Sequence, residues 1–469
     1  MKTTRLHELV ASILSVDKPR RLFLAIVASA GTLMLFGGMS HTRQGLVVHE
    51  WGTFTSVQGA DGALLDWRPL ESSRLPGFVY DWKKPGLGRI PNNPMAFTKA
   101  GLVTLQRMET PVIYFYSDKE ESVDVSVSFP KGTITEWYPQ AVQIGPSTVK
   151  ASPAIATLDD YAHKAGAKKD FTFATLLNNP AAKESRARWA HINVLPASKH
   201  AEMAKGLPTD KSGSHYFSAR ETDAAFLQME SLVSTNPAPE TEKFIFYRGV
   251  GNFATPLVVK EESEGSITLT NTGTEALGDL FVMRLEKGTG AFVHVAQLGR
   301  GERKEIAVTS RENGLPAAKL ADALAKEMAV ALESQGLYAR EAAAMVKTWK
   351  DSWFEEEGVR VLYLLPRSWT DQTLPLNIEP APTALTRVMV GRAEVLTAAH
   401  QQQLSNALTK AQQGDKTARD EAVAQLRKLG RFAQPALNLA ARGARPEVMQ
   451  SAWAIYNAAN TPVGGVKPL

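Results

Sequence analysis

Residues 214–223 read SHYFSARETD and place an imidazole and two carboxylates at odd-numbered positions, His215, Glu221 and Asp223. Side chains of an extended chain alternate between faces, so these three would share one face while Arg220 takes the other. A histidine beside two carboxylates can divide general acid and base roles or ligate a divalent metal ion, which is hydrolase chemistry. His215, Glu221 and Asp223 are therefore the candidate catalytic residues, and His49 with His215 the candidate metal ligands. A divalent metal is the one cofactor the sequence suggests. The competing reading is a solvated strand end whose carboxylates pair with Arg220 or Arg248.

A second polar pair, His49 and Glu50, lies in HEWGT. A zinc protease needs a second histidine four residues after the first, on one helical face, and Thr53 stands there instead. The stretch alternates as a strand, sending His49, Trp51 and Thr53 to one face and Val48, Glu50 and Phe54 to the other. His49, Trp51, Arg220 and Arg248 are candidate binding residues; for His49, a hydrogen-bonded structural role beside a core tryptophan competes. GVGNFA at 249–254 has dinucleotide-type glycine spacing but runs on through Thr255 and Pro256 into a strand, so no helix N-terminus is available for a pyrophosphate. Its glycines suit a turn or a close backbone approach. No GxSxG elbow and no P-loop occurs, and the SxxK matches at Ser128–Lys131 and Ser147–Lys150 lack partner motifs. Trp67, Trp82 and the EWY at 136–138 are candidates for an aromatic platform under a glycan ring, against the commoner role of buried core.

The elements that must position these groups are mostly strands. From Leu46 to about Ser310 the runs at 46–57, 111–117, 123–129, 189–195, 215–220 and 243–250 are rich in β-branched and aromatic residues and separated by Pro, Gly and Asn. With no helix between most of them, antiparallel pairing in a β-sandwich is expected over 45–255. Residues 256–310 carry five short strands at regular spacing, an immunoglobulin-like rhythm, and because five strands are few for an independent sandwich the alternative is that they complete the preceding sheets. The period then turns helical. Leu320, Leu324, Met328 and Leu332 form one stripe closed by Gly336, and Met345, Trp349 and Trp353 another, so 311–396 is expected to hold a helical hairpin plus strands at 358–366 and 387–396. Residues 397–469 read as short helices with a capping box at Thr417 and Asp420, a stop at Gly430 and prolines 435 and 446 in first turns, a HEAT-like tail. The expected fold class is β-rich α+β: an antiparallel β-sandwich core, an immunoglobulin-like second β unit, a helical hairpin and the HEAT-like tail.

Composition narrows the classes. The 469 residues carry 53 basic and 48 acidic side chains, a formal charge of +5 dispersed along the chain, so a nucleic-acid partner is not expected. There is no cysteine, which removes disulfides, thiolate metal sites and a cysteine nucleophile. Residues 1–44 hold a basic segment followed by 18 uncharged residues from Leu22 to Met39. That length lies between a secretory signal, at roughly 7–15 apolar residues, and a spanning helix, at about 20. Small residues Gly38 and Ser40 permit cleavage before His41. By the basic-flank rule the bulk of the chain lies outside the cytoplasm, anchored through 22–39 if that segment is kept.

Four stretches, VVHEWGTFTSVQG (47–59), RMETPVIYFYS (107–117), FYRGVGNF (246–253) and WFEEEGVRVLYLLPR (353–367), resemble recurring blocks of a family of uncharacterised exported bacterial proteins. The resemblance spans about residues 46–396. It implies a bacterial envelope setting and brings no fold, substrate or catalytic residue with it. Two functional readings stand side by side: a non-catalytic binding or scaffolding module of the envelope, with an envelope protein or glycan as partner, and a hydrolase built on the His/Glu/Asp cluster.

Overall fold

The first strand, Val47–Gly59, is flanked on both sides along nearly its whole length. Gln106–Tyr116 runs antiparallel to it, and Ala384–Leu396, near the other end of the sequence, runs parallel to it from Val47↔Ala384 to Gly59↔Leu396. These three strands centre a ten-stranded sheet. Its spatial order is Leu315–Pro316, Thr289–Leu298, Leu277–Glu286, Gly358–Leu365, Ala384–Leu396, Val47–Gly59, Gln106–Tyr116, Ile245–Gly251, Gly132–Tyr138 and Tyr80–Asp81. A six-stranded sheet is built on Glu121–Phe129 and Ser185–Leu195, and a three-stranded one on Leu257–Ser263, Ser266–Asn271 and Arg303–Ala307. The computed structural model describes residues 45–70, 75–81, 103–145, 164, 166, 185–230 except 212, 238–309, and 314–460 except 443. The expected leader or anchor at 22–39, Trp82 and Ser147–Lys150 lie outside the described residues.

Alternation along the first strand assigns the two faces of the large sheet. Val48 and Phe54 enter a core shared with Val123, Val125, Val127 and Trp189 of the six-stranded sheet and Val259 and Leu269 of the three-stranded one. Trp51 enters the opposite core, where Tyr114, Phe246, Phe281 and Leu362 meet a pair of helices, Ala317–Ser334 and Ala339–Lys350. Those helices bury the expected stripe of Leu320, Leu324, Met328 and Leu332, and Gly336 ends the turn between them at φ +99°, where a side chain is disfavoured. Farther along the same face, Val57, Leu65, Trp67 and Leu396 receive the C-terminal helices through Leu404, Leu426, Phe432, Leu437 and Ile455. The described residues form one compact unit.

Four expectations change. The core is a mixed sheet, because the first and last described strands pair in parallel at its centre, a contact no local pattern encodes. The five strands of 256–310 are divided: Leu277–Glu286 and Thr289–Leu298 extend the ten-stranded sheet, and the other three form their own. Residues 215–220 are 3-10 helical, with Ser214 capping the turn by accepting from the Tyr216 N–H, so the alternation assumed for His215, Glu221 and Asp223 does not apply. The tail's Lys416–Leu429 helix is capped by Asp415, which accepts from the Ala418 N–H, two residues before the box expected at Thr417.

Candidate functional site

Between the helical pair and the C-terminal helices, the face of the large sheet is charged. Arg360 of the 358–365 strand lies opposite Glu394. Thr55 of the first strand lies opposite Arg392 on one side and Arg107 on the other, and Thr53 opposite Glu109. Arg248 then faces Glu136. Directly opposed residues of paired strands present side chains to the same face. The result is a polar band across six neighbouring strands, arginine and glutamate on five and threonine on the first, and Arg107, Glu109, Glu136, Arg248, Arg360, Arg392 and Glu394 are each buried to 7% exposure or less.

The backbone is irregular at this level. Pairing of the first strand with 106–116 slips between Trp51 and Thr53, and Thr110 takes φ +48°, a left-handed conformation that costs a threonine. The 245–251 strand slips at the same height against both neighbours, and a side chain at Gly249 would stand 2.0 Å from the Thr133 carbonyl oxygen. Bulges re-aim the side chains beside them, and here those are Glu109, Arg248 and Glu136.

Ion pairing links the band. Arg248 donates to Glu136 through Nε at 2.8 Å and Nη2 at 3.0 Å. Arg360 donates to Glu394 at 3.0 Å and to the Trp353 carbonyl at 3.1 Å. Nη2 of Arg392 bridges Glu394 at 2.9 Å and Glu356 at 2.7 Å. From the C-terminal helices, Arg431 reaches Glu109 at 3.2 Å and Glu356 at 3.3 Å, and both Arg392 and Arg431 lie over the Phe432 ring. Burial pushes the Glu109 carboxyl up, but Arg107, Arg431 and Arg392 outweigh it and hold it below its ordinary value. Burial acts the same way on Glu356, yet Arg431, Arg392 and Arg360 draw it down to about 2, although two-fifths of that side chain reaches solvent. Burial lowers Arg107 to about 10, helped by the neighbouring charges of Arg248 and Arg431.

Pairing leaves part of the band unused. Thr53 Oγ1, Thr55 Oγ1, Thr133 Oγ1, Glu109 Oε2, Arg392 Nε and Nη1, Arg431 Nε and Gln434 Oε1 are buried and hydrogen-bond to no protein atom. Each such group costs about 1–3 kcal/mol unless something polar meets it. Polar atoms gathered in this way on facing elements can hold a small polar ligand.

Each residue singled out in the sequence has a defined place. His49 is buried, its Nδ1 2.7 Å from Glu341 Oε2. Glu341 also accepts from the Tyr116 hydroxyl at 2.7 Å and from the Tyr338 N–H at 2.8 Å, which ties the helical pair to the sheet. His215 is exposed, 3.7 Å from Asp351. Glu341 and Asp351 stand about ten residues apart on one helical run, roughly 15 Å along its axis, so His49 and His215 do not meet in one site. Glu221 pairs with Lys347 at 2.7 Å, Asp223 pairs with Arg340, and all four side chains are exposed. Among the described residues, no three His, Asp or Glu are grouped to hold a metal ion. Arg220 is committed to Glu242 at 2.6 Å and covers the ring of Phe217. Trp67, Trp137 and Tyr138 are core residues, so they form no displayed platform. Arg248 lies in the band, and Trp51 is buried on the same face of the first strand, two residues before Thr53.

Sequence reasoning passed over Thr53, Thr55, Arg107, Glu109, Glu136, Arg392 and Arg431 as site residues. The available signal was a charge set inside an otherwise apolar strand, as in RMETPVIYFY and GTITEWY. All four stretches quoted for the family resemblance meet here, contributing Thr53 and Thr55, Arg107 and Glu109, Arg248, and Glu356 and Arg360.

No family model matches the chain, and no curated protein matches it. Among solved structures, the yeast delta-COP-I mu-homology domain aligns at 7% identity over 75% of this chain and 98% of that chain, with a TM-score of 0.24. The same domain complexed with Dsl1 WxWxV peptide aligns with the same identity and coverage and a TM-score of 0.26. Scores this low carry no argument about fold or function. Among the described residues no helix is long and apolar enough to cross a membrane.

Proposed function

We propose that this is an extracytoplasmic binding protein whose ligand site is the arginine and glutamate band on the helix-covered face of the ten-stranded sheet. One observation carries the reading: buried polar atoms without a protein partner are gathered where irregular strands aim charged side chains inward. A band serving only to join sheet and helices would gain by pairing those atoms internally, since each unmet group subtracts from stability. The location rests on the basic segment and the apolar run from Leu22 to Met39. Exposure of Glu356 and, to a smaller degree, Arg431 puts the solvent side of the site at the seam between the 353–357 turn and the C-terminal helices.

The test uses the full-length protein expressed in a bacterium. Protease added to intact spheroplasts is expected to digest the region after residue 44; full protection would exclude the location. Native mass spectrometry of the purified chain is expected to show a small molecule that is retained under gentle conditions and released on unfolding. A bare polypeptide mass, together with a melting temperature indifferent to small polar solutes, would leave the band a purely structural joint.

A further inference from the structure

The C-terminal helices, Ala398–Gln412, Lys416–Leu429, Ala433–Ala440 and Pro446–Asn460, carry a core of their own. Among the described residues their hydrophobic cluster runs from Leu404 to Ala459, and only Val57, Leu65, Trp67 and Leu396 enter it from outside. A body that packs mostly against itself can part from its neighbour without unfolding. We infer that these helices move as one lid, jointed at Thr397, and that its opening uncovers the arginine and glutamate band.

The apolar contacts gather near the joint. Leu396 ends the last strand, opposite Gly59, and the Leu65 N–H donates to the Val57 carbonyl at 2.9 Å. Thr397 follows directly and starts the first helix of the lid by accepting from the His400 N–H at 3.2 Å. A change of backbone angles at such an element end is how hinged bodies swing. The polar seam lies farther out, since Arg392 stands four residues before Leu396, about 13 Å along the strand.

Across that seam the buried ion pairs are long. Arg431 reaches Glu109 at 3.2 Å and Glu356 at 3.3 Å, against 2.8 Å from Arg248 to Glu136 within the sheet. Charge-assisted bonds normally close to about 2.7–2.9 Å. The shorter Lys428–Glu357 pair, at 2.5 Å, lies at the rim, with three-fifths of the lysine side chain exposed. Both sides of the closed seam also leave buried atoms unmet: the Thr53 and Thr55 hydroxyls, Glu109 Oε2 and Arg392 Nε and Nη1 on the sheet, and Arg431 Nε and Gln434 Oε1 on the lid. Water meets all of them once the helices lift, which offsets part of what the closed contacts contribute. That opening admits a ligand to the band rests on the binding reading above; the movement itself does not.

The chain has no cysteine, so a single introduced thiol reports on a single place. Labelling of the full-length protein with an uncharged maleimide, read by mass, compares Thr55→Cys beneath the lid, Ala452→Cys in the lid's own core and Val127→Cys in the sandwich core, all three fully buried positions. Thr55→Cys should label at least about 100-fold faster than the other two. Arg431→Gln in that background removes the clamp and should speed labelling roughly three- to tenfold, and raised salt should act in the same direction. If Thr55→Cys does not fold, Thr53→Cys takes its place, and Ala422→Cys likewise replaces Ala452→Cys. Equal rates at the three positions would overturn the opening. Labelling of Ala452→Cys as fast as Thr55→Cys would mean that the helices unravel, which overturns the rigid lid. A rate indifferent to Arg431→Gln would overturn the clamp. Native mass spectra keep the two readings apart: a retained molecule with slow Thr55→Cys labelling removes the lid and leaves the binding function, and a bare mass with fast labelling does the reverse.

Discussion

The two faces of the ten-stranded sheet each bury an arginine–glutamate assembly, and the two assemblies are finished to different degrees. On the sandwich face, Glu50 accepts from Arg387 Nε at 2.5 Å and from the Tyr247 hydroxyl at 2.5 Å, and Arg387 also donates to Asp371 at 2.7 Å and to the Leu374 carbonyl at 2.7 Å. No side-chain atom of Glu50, Tyr247 or Arg387 is left buried without a partner. On the helix-covered face, Glu109 uses one oxygen and Arg392 one of its three nitrogens. The first assembly is a closed lock, and the second is half of an interaction. Both assemblies are buried, and they differ in how completely they are paired.

The largest effect that would sharpen this contrast is expected at the lock. Glu50→Gln removes the fully buried countercharge of Arg387 and leaves it only the partly exposed Asp371, which should cost about 3–5 kcal/mol in urea unfolding. A loss below about 1 kcal/mol would mean that Asp371 alone suffices and that the two faces are not distinct. Next comes the backbone that aims the band. Gly249→Ala pushes a methyl group into the Thr133 carbonyl and should cost about 1–3 kcal/mol. It should also cut ligand retention, because Arg248 is the preceding residue.

Smaller and opposite in sign is Thr53→Val, which removes an unmet hydroxyl and should leave stability unchanged or raise it by up to about 1 kcal/mol. A clear loss would show that hydroxyl already satisfied within the protein. A separate effect concerns acid. Glu356 falls from an ordinary 4.5 to about 2 in the folded protein, so its contribution is present above pH 4.5 and is lost as pH falls toward 2. Glu356→Gln should flatten that part of the acid-unfolding curve, and the mutant and wild-type curves should converge at the low end.

How much could be read from sequence depended on how local the information was. Alternation put His49, Trp51 and Thr53 on one face of the first strand, and helical period found the stripe from Leu320 to Leu332; both periods are complete within one element. The band is assembled by pairing between strands whose facing residues lie from 34 apart, Arg360 and Glu394, to 337 apart, Thr55 and Arg392, and a single sequence does not show which strands pair. His215, Glu221 and Asp223 drew attention because they are neighbours in the chain. A 3-10 turn then separated them onto surface ion pairs, since Ser214 offered the backbone a cap that an extended strand would not use.

The parallel pairing of the first and last strands also sets the order in which the protein can be completed. Glu50 and Arg387 are 337 residues apart, so one edge of the first strand stays unpaired until nearly all of the chain is available. Contacts of such sequence separation close slowly, and an open strand edge is where chains associate wrongly. Any truncation before residue 384 removes the partner strand outright, which makes Ala384–Leu396, late as it comes in the polypeptide, a condition for the sheet's centre rather than an appendage to it.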